Sequence, residues 1–161
     1  MKMNKQEYLI RLKKIYNRIP NEFERTIFYV LCKKYQSFLQ GKENTKYVTK
    51  EEIVRQLVAQ GLMRMGVDKT TGNEKLPDDR AIRNSVRKLM KNGLPILSSS
   101  TSAGYYICDD LEEIKQPMEE NKKRALSILS RQKGFEIMQN FINGQIDITE
   151  IDLSLDENFE I

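Results

Sequence analysis

Leu76 to Ile107 reads LPDDRAIRNSVRKLMKNGLPILSSSTSAGYYI, and its pattern changes period partway along. Pro77-Asp78-Asp79 is a helix opening, with carboxylates where the positive end of a helix favours them, and Asn92-Gly93 is a helix stop. Between them, Val86 and Leu89 fall within about 40° of Ile82 on a helical wheel, with Met90 near the edge. Arg80, Asn84, Arg87 and Lys91 cluster on the other side, flanked by Arg83 and Lys88. After Gly93 the period drops to that of strands. Ile96-Leu97 and Tyr105-Tyr106-Ile107 are β-formers separated by Ser98 to Gly104, a run without apolar bulk that ends in glycine. The stretch therefore predicts a helix with one packed face, followed at once by a short hairpin. Tyr105 and Tyr106 must point to opposite sides of their strand, which leaves one expected to pack inward and the other to lie outward.

The polar face of that helix carries a specific chemistry. Arginine matches the guanine edge, asparagine the adenine edge, and lysine a phosphate, so the face suits a DNA major groove. The alternative is an ordinary solvated surface with i,i+4 spacing. What lies upstream argues for DNA. Thr49-Lys50-Glu51-Glu52 is a capping box that opens a helix with Ile53, Leu57 and Val58 inward, ended by Gly61. Before it, Asn21 caps a helix from Glu22 to about Leu39, where Phe23, Ile27, Val30, Leu31, Tyr35 and Phe38 form a wide apolar stripe. A core helix, a capped helix and a basic helix thus follow in order. Between the last two lie some fifteen residues, Gly61 to Lys75, longer than the usual short turn. There Met63, Met65 and Val67 alternate with polar residues and Asp68 to Asn73 resembles a turn, so an inserted strand or hairpin is expected. At the N-terminus, Tyr8, Leu9, Leu12, Ile15, Tyr16 and Ile19 share one side of a helix over Asn4 to Ile19, stopped by Pro20.

Val86-Arg87-Lys88-Leu89, Asn92-Gly93-Leu94-Pro95-Ile96 and Gly104-Tyr105-Tyr106-Ile107 together resemble the winged helix-turn-helix domains of the biotin-repressor type. Ala81 to Cys108, running into Asp109-Asp110-Leu111-Glu112-Glu113-Ile114, is also similar to small proteins of phages and prophages of low-GC Gram-positive bacteria. The resemblance covers about residues 21–115. It implies a three-helix core with a β-hairpin wing, a recognition helix at 79–92, and double-stranded DNA as partner. The sites so implied are Arg80, Arg83, Asn84, Arg87, Lys88 and Lys91, with Ser99 and Ser100 in the wing. Ser98 to Ala103 departs from the family by carrying no Arg or Lys at the wing tip, which reduces the wing to an auxiliary contact through hydroxyls and amides.

Downstream, Asp109 to Lys115 is expected to make one or two helical turns. Pro117 then opens a second helix, Met118 to about Ile142, with a dense basic side and a narrow apolar stripe. Packing back on the domain and pairing with a second copy are the two fates of such an arm. The segment 145–161 alternates acids with Ile, Leu and Phe. It reads as a flexible acidic tail that docks on a protein partner or folds over the basic face.

Overall the chain reads as mainly α: an N-terminal helix at 1–19, a winged-helix domain at 20–115, a helical arm at 116–144 and the tail. The formal charge of +4 hides an asymmetry. The last sixteen residues carry six acids and no cation, so residues 1–145 hold 27 cations against 17 acids, a formal +10. A basic body with an acidic tail suits a nucleic-acid binder. Catalysis is not expected: the chain has no histidine, two distant cysteines, and neither a phosphate-binding nor a dinucleotide-binding glycine motif. No cofactor or metal is expected either. No membrane-spanning run occurs, and the charged start MKMNKQEYLIRLKK lacks an export signal, so a cytoplasmic location is expected. The functions compatible with this reading are a phage or mobile-element transcriptional regulator, a replication or recombination accessory, and a protein-interaction module built on the same scaffold.

Overall fold

The computed structural model of the chain describes residues 4–99 and 104–145. Ser100 and the acidic tail beyond Gln145 lie outside the described residues. The chain divides into two compact units, residues 1–109 and 110–161. Its described residues are mainly helical, with two small sheets. The first unit runs α1 (Lys5–Tyr16), α2 (Glu22–Leu39), β1 (Val48–Thr49), α3 (Lys50–Ala59), β2 (Gly66–Val67), β3 (Glu74–Lys75), α4 (Arg80–Lys91), β4 (Ile96–Ser98) and β5 (Gly104–Ile107). The second contains α5 (Leu111–Ile142).

Helix α2 is the hub of the first unit, in contact with α1, α3, α4, β1 and β5. Its stripe explains why: Ile27, Phe28, Leu31 and Tyr35 are all fully buried. The Asn21 side chain accepts from the Glu24 N–H at 3.0 Å and starts the helix as its residue type predicts. Helix α3 opens on the complete capping box. Thr49 accepts from the Glu52 N–H, and Glu52 accepts from the Thr49 N–H at 2.7 Å. Ile53, Val54 and Leu57 bury against α2 and its neighbours. Helix α1 is shorter than its apolar spacing suggests. It ends at Tyr16, and Ile19 reaches the core from the turn before Pro20.

Residues 61–75 do contain an inserted hairpin. β2 and β3 pair antiparallel, Gly66 opposite Lys75, and the Asp68 carboxylate accepts from the Thr70 and Thr71 N–H groups to form the turn. Those bonds hold the Asp68 carboxyl below its ordinary range.

The larger sheet has the order β1-β5-β4, all antiparallel, with Ile96 opposite Ile107 and Val48 opposite Tyr105. Gly104 is more than the end of a turn. A Cβ there would lie 2.1 Å from the Val48 carbonyl oxygen, so only glycine lets β1 lie against the start of β5. Both tyrosines that follow are buried, contrary to the expectation that one lies outward. Tyr105 enters the main core. Tyr106, on the other side, is covered by the Tyr47 ring at 4.8 Å and the Lys46 ammonium at 4.9 Å.

A polar knot closes the first unit at its end. The Tyr35 hydroxyl and the Lys46 ammonium both donate to the Asp109 carboxylate at 3.0 Å, and the Tyr8 hydroxyl donates to the Cys108 carbonyl. Burial pushes the Asp109 carboxyl up, but the bonds from Lys46 and Tyr35 outweigh it and hold the group below the usual carboxylate range. Burial also pushes the Cys32 thiol up to about 12, so it is protonated and inert at neutral pH.

The expectation of two helices after the hairpin gives way to one. Helix α5 runs unbroken from Leu111 to Ile142 through Pro117, its start fixed by the Asp110 side chain on the Glu112 N–H. Pro117 is the seventh residue of α5, past the first four positions whose N–H groups lack an intrahelical partner, so it forgoes one backbone hydrogen bond and the helix continues on both sides of it. Among the described residues, no helix is long and apolar enough to cross a membrane.

Candidate nucleic-acid interface

Helix α4 carries the candidate site, and its placement follows from three residues. Ile82, Val86 and Leu89 are buried in the common core. At about 1.5–3 kcal/mol for each large aliphatic side chain buried, they fix which way the helix faces. The opposite side is exposed along its whole length: Arg80, Arg83, Asn84, Arg87, Lys88 and Lys91 are all open to solvent. At the C-terminal end, Gly93 adopts a φ of +82°, a conformation that glycine tolerates best, and Leu94 donates back to the Leu89 carbonyl. That closure aims the chain directly into Pro95 and β4.

The start of α4 is built differently from the cap its sequence suggests. Asp78 supplies the hydrogen bond, accepting from the Arg80 N–H at 3.0 Å, whereas the Asp79 side chain makes no cap bond. Asp79 instead receives the Lys50 ammonium at 2.6 Å and the Arg83 guanidinium at 3.0 Å. The Lys50 hydrogen bond is the main reason its carboxyl sits below the ordinary range. Because Lys50 is the first residue of α3, this bridge ties the start of α3 to the start of α4 across the inserted hairpin.

The six polar side chains are therefore not equivalent. Lys88 reaches the carboxylate of Glu24 on α2 at 2.8 Å, and the Glu24 side chain is only 10% exposed. Arg83 is held by Asp79, and Arg80 lies 3.9 Å from Asp78 with its side chain 79% exposed. Asn84, Arg87 and Lys91 make no hydrogen bond or ion pair among the described residues. The free chemistry of the face is thus one amide and two cations, with a loosely held third.

Ser99 follows directly on β4. Its N–H donates to the Gly104 carbonyl at 3.1 Å, which continues the strand pairing. Ser100 is not among the described residues. Near the start of α4, a groove of about 500 Å³ is lined by Lys50, Glu51, Lys75, Asp78 and Asp79 among others. Its mixed signs give it no preference for an anion. No three Cys, Asp or Glu side chains converge as metal ligands do among the described residues.

Sequence reasoning overlooked Lys50 and Glu24. Lys50 had a signal: a cation in the first turn of a helix opposes the helix dipole, so it marks a partner acid elsewhere. Glu24 had none, since an acid in the first turn of α2 is already favourable without Lys88. No protein family, no curated protein and no solved structure gives a match to this chain.

Proposed function

We propose that the chain is a winged helix-turn-helix protein that binds double-stranded DNA through α4, as a transcriptional regulator of phage or mobile-element type. The observation that carries this reading is the state of Asn84, Arg87 and Lys91. They project uncompensated from a helix whose other face is locked into the core, so they can enter a groove without the domain rearranging. The order α2, α3, α4, hairpin and the sheet order β1-β5-β4 favour the same scaffold. In this reading Arg87 and Asn84 read base edges, while Lys91 and Arg80 neutralise phosphates. Lys88 ties α4 to α2 through Glu24, Arg83 is engaged by Asp79 at the start of its own helix, and Ser99 is an auxiliary contact. The chemistry is binding alone, with no bond made or broken.

An electrophoretic shift with duplex DNA across a salt series tests it. Each neutralised phosphate contributes about −0.9 to the log–log slope, so two to four contacts predict a slope of about −2 to −4. No binding at low salt removes the proposal.

A second reading is favoured by the acids around the face. Asp78, Asp79 and Glu24 neutralise part of Arg80, Arg83 and Lys88, which a surface built for a polyanion has no need to do. That points to a protein-interaction module on the same scaffold. It predicts no duplex shift at any salt concentration. A role as a replication or recombination accessory shares the DNA-binding prediction and differs only in what the bound protein recruits.

A further inference from the structure

We propose that α5 pairs with α5 of a second copy of this chain as a parallel, in-register coiled coil. Met118, Ile128, Phe135 and Ile142 are 54–74% exposed, and none of the residues of α5 is buried. Leu126, Leu129, Met138 and Phe141 are exposed as well and lie off any one line, but Met118, Ile128, Phe135 and Ile142 fall on a common pattern. Ile114, Asn121, Ile128, Phe135 and Ile142 recur every seven residues over four intervals. A second series, three residues earlier each time, opens with Leu111, Met118 and Ala125 and turns polar at Gln132 and Gln139. Two seven-residue series set three apart are the seam of a left-handed coiled coil.

The polar members and the flanking charges choose the arrangement. Asn121, in the later of the two series, meets its own counterpart only when the helices are parallel and in register, where the two amides can hydrogen-bond to each other. In that arrangement Arg131 on the flank faces Glu136 of the second copy, and symmetry repeats the pair. Antiparallel packing about the helix centre would set Arg124 against Arg131 of the second copy twice. Charge therefore favours the parallel pair. Size is adequate: α5 spans about 48 Å, and a strip about 10 Å wide on each helix covers roughly 1,000 Å² in all, where specific interfaces begin.

Sedimentation of the full chain over a concentration series tests this, with Ile128→Asp and Arg131→Glu as variants. All seven tyrosines lie between Tyr8 and Tyr106, so their fluorescence checks that the first unit remains folded in each. The expected result is a dimer, weakened at least about a hundredfold by a buried charge at Ile128→Asp. Arg131→Glu replaces two attractions by two repulsions and is expected to weaken it about tenfold. A wild-type monomer or trimer overturns the proposal, as does a dimer that Ile128→Asp leaves intact. Tighter association of Arg131→Glu, which would pair with Arg124, overturns the parallel arrangement.

Discussion

Helices α4 and α5 use similar residues to opposite ends. In α4 three aliphatic side chains on one side are buried and every cation lies on the other. In α5 most of the aliphatic side chains are exposed, and cations such as Lys122, Arg124 and Arg131 are spread around and between them. The lesson is that a polar face gains meaning from the anchoring of the face behind it. A cation on α4 has one orientation within its unit and can be assigned a geometry. A cation on α5 acquires one only when something covers the apolar stripe.

The largest effect that should separate the two helices is on stability. Ile82→Ala removes a fully buried side chain of α4 and is expected to cost about 2–5 kcal/mol in denaturant unfolding followed by tyrosine fluorescence. A loss below about 1 kcal/mol would mean that α4 is not anchored as described. Next comes the outer face. Arg87→Ala should leave that unfolding curve in place yet weaken binding to a preferred duplex by about 1–3 kcal/mol and relax specificity at one position. Equal loss for every duplex would make Arg87 a phosphate contact instead.

The boundary between the units offers a smaller effect, read through pH. The folded Asp109 carboxyl lies below its unfolded value, so its contribution is present above the ordinary aspartate pKa of about 4 and is lost as pH falls through the lowered folded value. Asp109→Asn is expected to lower stability at neutral pH by up to about 1 kcal/mol after screening, and to flatten the acid limb of the stability profile. An unchanged acid limb would remove Asp109 from the closing knot. The smallest effect is Ile128→Ser in α5. It removes an isoleucine, as Ile82→Ala does, yet should move the tyrosine-detected transition by less than about 0.5 kcal/mol. A loss comparable to that of Ile82→Ala would erase the contrast between the helices.

Much of this architecture is legible in the chain itself. Thr49 with Glu52, Asn21, and Asn92-Gly93 end or begin helices through bonds made within a few residues, so their meaning is local and survives without tertiary context. The inward set Ile82, Val86 and Leu89 was likewise written in helical periodicity. The inserted hairpin was visible because Asp68 and Asn73 bound a turn made by short-range bonds. The break expected between Lys115 and Met118 is absent: α5 runs through Pro117 although a proline at its seventh position forgoes a backbone hydrogen bond, so a local rule for helix starts misplaced the boundary.

What only the tertiary structure decided is which polar groups face one another. Lys88 and Glu24 are far apart in sequence, as are Lys50 and Asp79, and no period or motif joins them. Their pairing divides a basic helix that reads as uniform into residues that hold the helix and residues left for a ligand. The same holds for Gly104, whose need for a missing Cβ comes from the Val48 backbone brought against it by folding. Sequence determines what each short segment prefers, since those forces act over a turn or two. The selection among equivalent charges belongs to the fold, because a charge is spent only on the partner that packing brings within reach.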